Sequence, residues 1–192
     1  LDLGQVERIA AANPEAVVIV DEAYVDFGAR SAVGLIGRYP NLLVVQTFSK
    51  SRAMAGMRIG FAMGNEKLIR YLSDVKFSFN SYTMNRPTLA LGIEALKDRA
   101  YFEEITGRIV STRERVKGEL KELGFTFPDS MANFIFASHS RIPARQIFQA
   151  LKERDIYVRY WDKPRISNSL RITVGTDAEM DSLLAFLREY IN

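Results

Sequence analysis

One lysine in the sequence stands where chemistry could use it. Leu42-Leu43-Val44-Val45 has the composition of a buried strand, and it leads through Thr47-Phe48-Ser49 to Lys50. An amine at the end of an apolar strand can be desolvated, which lowers its pKa and makes it a nucleophile toward aldehydes. Downstream lies Ala55-Gly56-Met57-Arg58-Ile59-Gly60. The hydroxyls of Thr47 and Ser49 could each donate one hydrogen bond to a phosphate, and the Arg58 guanidinium two. The same residues also fit a helix start with Ser49 as N-cap and a surface lysine. A second cluster, Asp21-Glu22-Ala23-Tyr24, follows the apolar run Ala16-Val17-Val18-Ile19-Val20. A carboxylate there, facing the same crevice as Lys50, could keep a heteroaromatic nitrogen protonated; it could equally cap a turn or pair with an arginine.

Such groups need strands to hold them. The run before Asp21 is β-branched and bounded by Pro14, which predicts a strand buried on both faces, as in a parallel sheet. Leu42 to Val45 repeats the pattern after the turn signal Tyr39-Pro40-Asn41, and Ile59 to Met63 is a third short apolar stretch. Ahead of them, Val6, Ile9 and Ala10 followed by Asn13-Pro14 resemble the end of a helix. Strands joined by helical or loop crossovers predict an α/β layer.

The second half differs. Pro87 suits a first helical residue leading Leu89, Ile93 and Leu96, and a long amphipathic helix is predicted from Tyr101 to Leu123, stopped by Gly124. Strands are predicted at Asn133–Phe136, Ile156–Val158 and Leu170–Val174, with a helix over Pro143–Arg154. The last helix opens on Thr176-Asp177-Ala178-Glu179, a capping box, and buries Met180, Leu183, Leu184 and Leu187. A domain boundary is expected near residues 98–104, giving an α/β part over 1–100 and a small α+β domain over 101–192 that begins with the long connecting helix.

Composition narrows the classes. The 192 residues carry 26 Lys+Arg against 23 Asp+Glu, a net charge of +3, with 47% hydrophobic and 26% charged residues. That is globular composition. The charges are interleaved, which gives no support to a nucleic-acid or membrane-surface role. There is no Cys, so disulfides and thiolate metal sites are excluded, and no metal site is expected. No apolar run approaches the ~20 residues of a membrane span, and the expected compartment is the cytoplasm. The single His139, in Ser138-His139-Ser140, is expected in a surface loop; Trp161 is expected to pack between strand and helix, and Arg52 to be solvated.

Taken together, Asp-Glu-Ala-Tyr at a strand end, then Ser-Lys, then Ala-Gly-x-Arg-x-Gly resemble the fold-type I pyridoxal-phosphate aminotransferases of class I and II. Leu170-Arg171-Ile172-Thr173-Val174-Gly175-Thr176 and Ala132-Asn133-Phe134 extend the resemblance along the chain. Within that family the pattern is most similar to the histidinol-phosphate aminotransferases. The resemblance implies that residues 1–100 are the C-terminal part of a large cofactor-binding domain with a mostly parallel sheet. It implies that Lys50 is the catalytic Schiff-base lysine, that Asp21 pairs with the pyridinium nitrogen, and that Tyr24 donates to the cofactor's phenolate oxygen. Thr47, Ser49 and Arg58 match the phosphate-binding positions. Arg171 matches the arginine that grips the substrate's carboxylate or anionic end, and Arg159 a second anion-binding arginine.

The implied partners are an amino donor and a 2-oxo acid, the implied assembly a homodimer with no nucleic acid and no membrane. Phe77 to Tyr82 would form a loop near the partner subunit, with Tyr82 as a contact. Members of the family are longer and carry upstream a glycine-rich turn over the phosphate and an aromatic that stacks on the ring. A chain of this extent is therefore expected to be a C-terminal piece that by itself binds the cofactor poorly and turns over no substrate. Alternatives kept open are an aromatic amino-acid aminotransferase, a threonine-phosphate decarboxylase, and a non-catalytic regulatory domain of the same fold.

Overall fold

The computed structural model describes residues 1–191 and divides into two compact units, Leu1–Glu104 and the stretch from Ile105 onward. No helix of the described residues is long and apolar enough to cross a membrane.

In the first unit, helix α1 (Leu3–Ala12) begins at its own capping box. Asp2 accepts from the Gln5 amide at 2.8 Å, and the Gln5 side chain accepts from the Asp2 amide at 3.0 Å. Strands β1 (Val18–Asp21), β2 (Leu42–Thr47) and β3 (Gly60–Gly64) form one sheet in that order. β1 and β2 are parallel, with Asp21 opposite Val45; β2 and β3 are antiparallel, with Thr47 opposite Gly60. The antiparallel step has a simple cause. The connection from Phe48 to Ile59 carries only a 3-10 turn (Ala55–Met57) and no crossover helix, so the chain returns beside β2 instead of crossing over it.

Two-sided burial holds for β2, where Leu42, Leu43 and Val44 are all buried. It fails for β1. Val6, Ala32 and Leu35 pack with Leu42 and Val44, joined by Val18 and Val20, whereas Val17 and Ile19 on the opposite face are 52% and 61% exposed. Helices α2 (Glu66–Phe79) and α3 (Arg86–Lys97) are capped by Asn65 and Asn85, and Pro87 falls in the first turn of α3. The sequence reading has no counterpart for α2. Phe77-Ser78-Phe79 is the last turn of that helix, not a loop, and Tyr82 beyond it is 95% exposed.

Helix α4 (Arg99–Glu122) leads into the second unit. There β4 (Phe125–Thr126), β5 (Phe134–His139), β6 (Arg159–Tyr160) and β7 (Leu170–Thr173) form an antiparallel sheet in the order β4-β5-β7-β6. Helices α5 (Ala144–Lys152) and α6 (Asp177–Ile191) complete the unit. Ile135 and Ala137 of β5, Leu170 and Ile172 of β7, Ile147 and Leu151 of α5, and Leu183, Leu184 and Leu187 of α6 close on Val116 and Leu120 of α4. Each large aliphatic side chain so buried contributes about 1.5–3 kcal/mol. The capping box of α6 forms as its sequence predicts, with Glu179 accepting from the Thr176 amide at 2.7 Å.

Two expectations are corrected here. Ile156 to Val158 is not a strand: the Ile156 amide still bonds to the Leu151 carbonyl at 3.0 Å, Asp155 turns the chain at φ 56°, and the strand begins only at Arg159. His139 is buried in β5, not exposed in a loop. Its Nδ1 accepts from the amides of Arg141 (3.2 Å) and Ile142 (3.0 Å), so Nε2 is the donor to the Leu123 carbonyl at 3.0 Å. The side chain thereby seals the turn after α4.

Gly124 sits in that turn at φ 85°, and a Cβ there would lie 3.1 Å from His139 Nε2. Gly124→Ala is expected to cost the second unit about 1–3 kcal/mol, from the left-handed backbone and the displaced histidine, read by urea unfolding. An unchanged midpoint contradicts this.

The same unit should weaken in acid. Lys117 bonded to Glu114 and Asp129, Arg115 bonded to Asp177, and the Thr176 amide bonded to Glu179 each hold a carboxyl below its ordinary range. A depressed folded pKa means full stabilisation above the unfolded value and loss as pH falls through the folded one. The unfolding midpoint is therefore expected to be flat above about pH 5 and to drop below about pH 4, the ordinary range for carboxylates. A midpoint that rises on acidification contradicts it.

Candidate active site

Parallel pairing brings the carboxyl ends of β1 and β2 to one sheet edge, and the start of antiparallel β3 joins them there. Asp21, the last residue of β1, uses Oδ1 to accept from the Ala23 amide at 3.0 Å, which turns the chain toward Tyr24. Past the end of β2, the Thr47 and Ser49 hydroxyls are hydrogen-bonded at 2.9 Å, and the Ser49 amide donates to Thr47 Oγ1 at 3.0 Å. Lys50 Nζ lies 5.7 Å from the centre of the Tyr24 ring. The amine is exposed, so it is placed by its neighbours and not desolvated by burial. Arg58 stands at the entrance to β3 with a left-handed backbone (φ 55°), and its Nη1 donates to the Ala55 carbonyl at 2.8 Å. One edge thus gathers Asp21, Tyr24, Thr47, Ser49, Lys50 and Arg58.

Residues to which the sequence reading gave no role hold this edge together. Glu22 is buried and accepts from Ser31 Oγ (2.7 Å), the Ala32 amide (2.6 Å) and Gln46 Nε2 (2.8 Å), fixing the segment between Asp21 and Tyr24 against β2. Ser51, buried beside Lys50, donates to Asp26 Oδ2 at 2.5 Å and so ties the lysine loop to the loop of Tyr24. Arg52 is not simply solvated: Nη1 donates to the Ala95 carbonyl at 2.5 Å, and the guanidinium lies over the rings of Phe48 and Phe102. Ala53 follows at φ 53°, a left-handed position that costs a non-glycine residue about 1–3 kcal/mol. The only available signal was the clustering of polar residues after buried strands; none of these partners could be paired from spacing.

The second unit carries a separate constellation. Arg159 and Arg171 are directly opposite on β6 and β7. Among the described residues neither forms an ion pair with a carboxylate, and Arg171 Nε is buried without a hydrogen-bond partner. A desolvated donor left unpaired costs about 1–3 kcal/mol, and like charges facing each other across strands add to that. Trp161 does not simply pack between strand and helix, because both guanidinium groups lie over its ring. Such a pair can receive an anion.

The sequence signature of the family described as aminotransferase class I and II matches residues 1–187. The chain belongs to this family. Among aminotransferases it is 53% identical over 182 residues to the histidinol-phosphate aminotransferase of Brachyspira hyodysenteriae, covering 94% of this chain and 51% of that relative. It is also 53% identical over 190 residues to that of a Marinomonas species, covering 98% and 54%. The chain therefore spans about half the length of the curated relatives it matches. In structure it is similar to the histidinol-phosphate aminotransferase from Clostridium acetobutylicum, with a TM-score of 0.88 and 25% identity over 98% of this chain and 59% of the other. The Sinorhizobium meliloti enzyme, solved in complex with pyridoxal-5'-phosphate, gives a TM-score of 0.81 and 29% identity over 96% and 52%.

Loss of the Ser51–Asp26 contact should loosen the lysine loop. Asp26 is exposed and its carboxylate regains water when the donor is lost, so Ser51→Ala is expected to cost the first unit only about 0.5–1.5 kcal/mol. Amide exchange should accelerate in Val25–Phe27 and around Lys50. Unchanged exchange in both segments rules the contact out as a tether.

Proposed function

We propose that the complete protein is a pyridoxal-phosphate-dependent aminotransferase, acting as a cytoplasmic homodimer. It exchanges an amino group between histidinol phosphate and 2-oxoglutarate. The observation that carries the substrate class is the facing of Arg159 and Arg171 with no carboxylate to neutralise them, which suits a strongly anionic substrate. The named relatives at about half identity agree with it.

The donor set at the first unit's sheet edge fits the cofactor: an exposed amine, a carboxylate with one oxygen free of the Ala23 amide, a phenol beside the amine, and two hydroxyls with a guanidinium for a phosphate. When bound, pyridoxal phosphate supplies an electron sink for negative charge at the carbon bearing the amine. Lys50 would hold it covalently through Nζ and afterwards carry the proton to and from the substrate Cα. Asp21 would keep a proton on the ring nitrogen by placing a fixed negative charge beside it. The Tyr24 hydroxyl would donate to the ring's phenolic oxygen. Thr47, Ser49 and Arg58 would bind the phosphate, the guanidinium with two parallel donors. Arg159 and Arg171 would orient the substrate through its anion, so that the carbon to be deprotonated stays fixed.

Borohydride reduction of the cofactor-loaded complete protein, followed by peptide mapping, is expected to place the pyridoxyl group on Lys50; an adduct on Lys67 or Lys76 overturns the assignment. Lys50→Ala should abolish turnover. Asp21→Asn should lower turnover by at least about a hundredfold, the scale for removing one preorganised charge, and a loss under tenfold contradicts the role. In a panel of amino donors followed by half-reaction spectra, histidinol phosphate should react fastest. A preference for phenylalanine or tyrosine, or release of carbon dioxide from threonine phosphate, would reassign the substrate.

A further inference from the structure

The anion site of the second unit contains an aromatic that no carboxylate-type ion pairing explains. The guanidinium carbon of Arg159 is 5.4 Å from the centre of the Trp161 ring and that of Arg171 is 5.6 Å; Arg171 also lies 5.3 Å over Phe134. The nearest carboxylate in sequence, Asp162, is engaged elsewhere, by Arg145 at 3.1 Å. One indole therefore serves two cations that face each other across neighbouring strands, and no acid of the described residues pairs with either. Arg171 Nε is buried without a hydrogen-bond partner and remains available to a ligand.

We propose that Trp161 is a positioning residue, its ring steadying the Arg159 and Arg171 guanidinium groups so that both stay directed at the substrate's anion. The inference rests on the assignment of these arginines to the substrate's anion. A carboxylate on either arginine would have neutralised the pair; an aromatic steadies both cations and leaves their charge intact. Two adjacent guanidinium groups match a doubly charged anion better than a single carboxylate, because each negative charge gains its own bidentate partner.

Trp161 is the only tryptophan among residues 1–192, and the difference in emission between the complete protein and its Trp161→Phe variant isolates its signal. Titration with inorganic phosphate is expected to give a saturable emission change with the same midpoint as calorimetric binding, and acetate should bind at least about tenfold more weakly. Trp161→Phe should retain the phosphate affinity within about threefold, and Trp161→Leu should weaken it about five- to tenfold, the scale of two cation–π contacts. The unfolding midpoint of each variant checks that the unit is intact. If Trp161→Leu binds phosphate as well as the unchanged protein while Arg171→Gln does not, the role of Trp161 is overturned and the substrate assignment stands. If Arg159→Gln and Arg171→Gln both bind phosphate normally, the substrate assignment itself falls, and the proposal with it. Should Trp161→Leu not fold, calorimetric phosphate binding without any change in Trp161 emission overturns the proposal.

Discussion

The parallel pairing of β1 with β2, with Asp21 opposite Val45, is the constraint on which the first unit depends. In a parallel pair both carboxyl ends emerge at one edge, so the loops that begin at Asp21 and at Thr47 have to share it. A slip of one residue would turn Asp21 to the other face of the sheet, the face of Val18 and Val20. Burial on one side makes such a slip costly. Val18 and Val20 pack on the cluster of Val6, Leu35, Leu42 and Val44, and a shift would exchange them for the exposed Val17 and Ile19 positions.

Register alone does not place a side chain to within an ångström, and the loops at that edge have no regular hydrogen bonding of their own. Buried polar contacts supply what the strands do not. Glu22 accepts three hydrogen bonds, Ser51 reaches Asp26, and Arg52 anchors on the Ala95 carbonyl. Each such bond is worth about 0.5–1.5 kcal/mol net, and more when a charged group takes part. Together they offset the left-handed backbone at Ala53 and Arg58, which lie in the turns between Lys50 and β3. The strain is local, and it is held by neighbours on both sides of the lysine.

The second unit solves a different problem. Its core is aliphatic and continuous, and the excess stability of that core can carry a costly feature on the sheet: two arginines opposite each other, one with a buried donor lacking a partner. Two other cations of the unit do have carboxylate partners. Arg115 meets Asp177, Asp181 and Glu119, and Lys117 meets Glu114 and Asp129. Among the described residues the pair on β6 and β7 has none, and one of its donors is buried as well.

Much was legible in the sequence because it depends on local rules. Apolar runs marked β1, β2 and β3 within two residues, Gly124 marked the end of α4, and Thr176 with Glu179 marked the start of α6. The family signature was legible too, since Asp21, Tyr24, Lys50 and Arg58 lie in short motifs whose order survives without a structure. Helix α2 was missed because its apolar side chains, Leu72, Val75 and Phe79 among them, remain largely exposed, so no clean buried stripe announces it. Contacts between residues distant in the chain were beyond reach. His139 looks like a loop residue between two serines, yet the fold buries it against Leu123 and Phe125. Asp26 and Ser51, or Trp161 over Arg159 and Arg171, have no spacing rule to connect them. By itself the sequence determined most of the strands and helices and the motifs they carry, because propensity, capping and periodicity act over a few residues. Only the tertiary structure decided which charges stay unpaired and which loops are tied together, because those depend on register between strands and on side chains that meet only after the chain has folded.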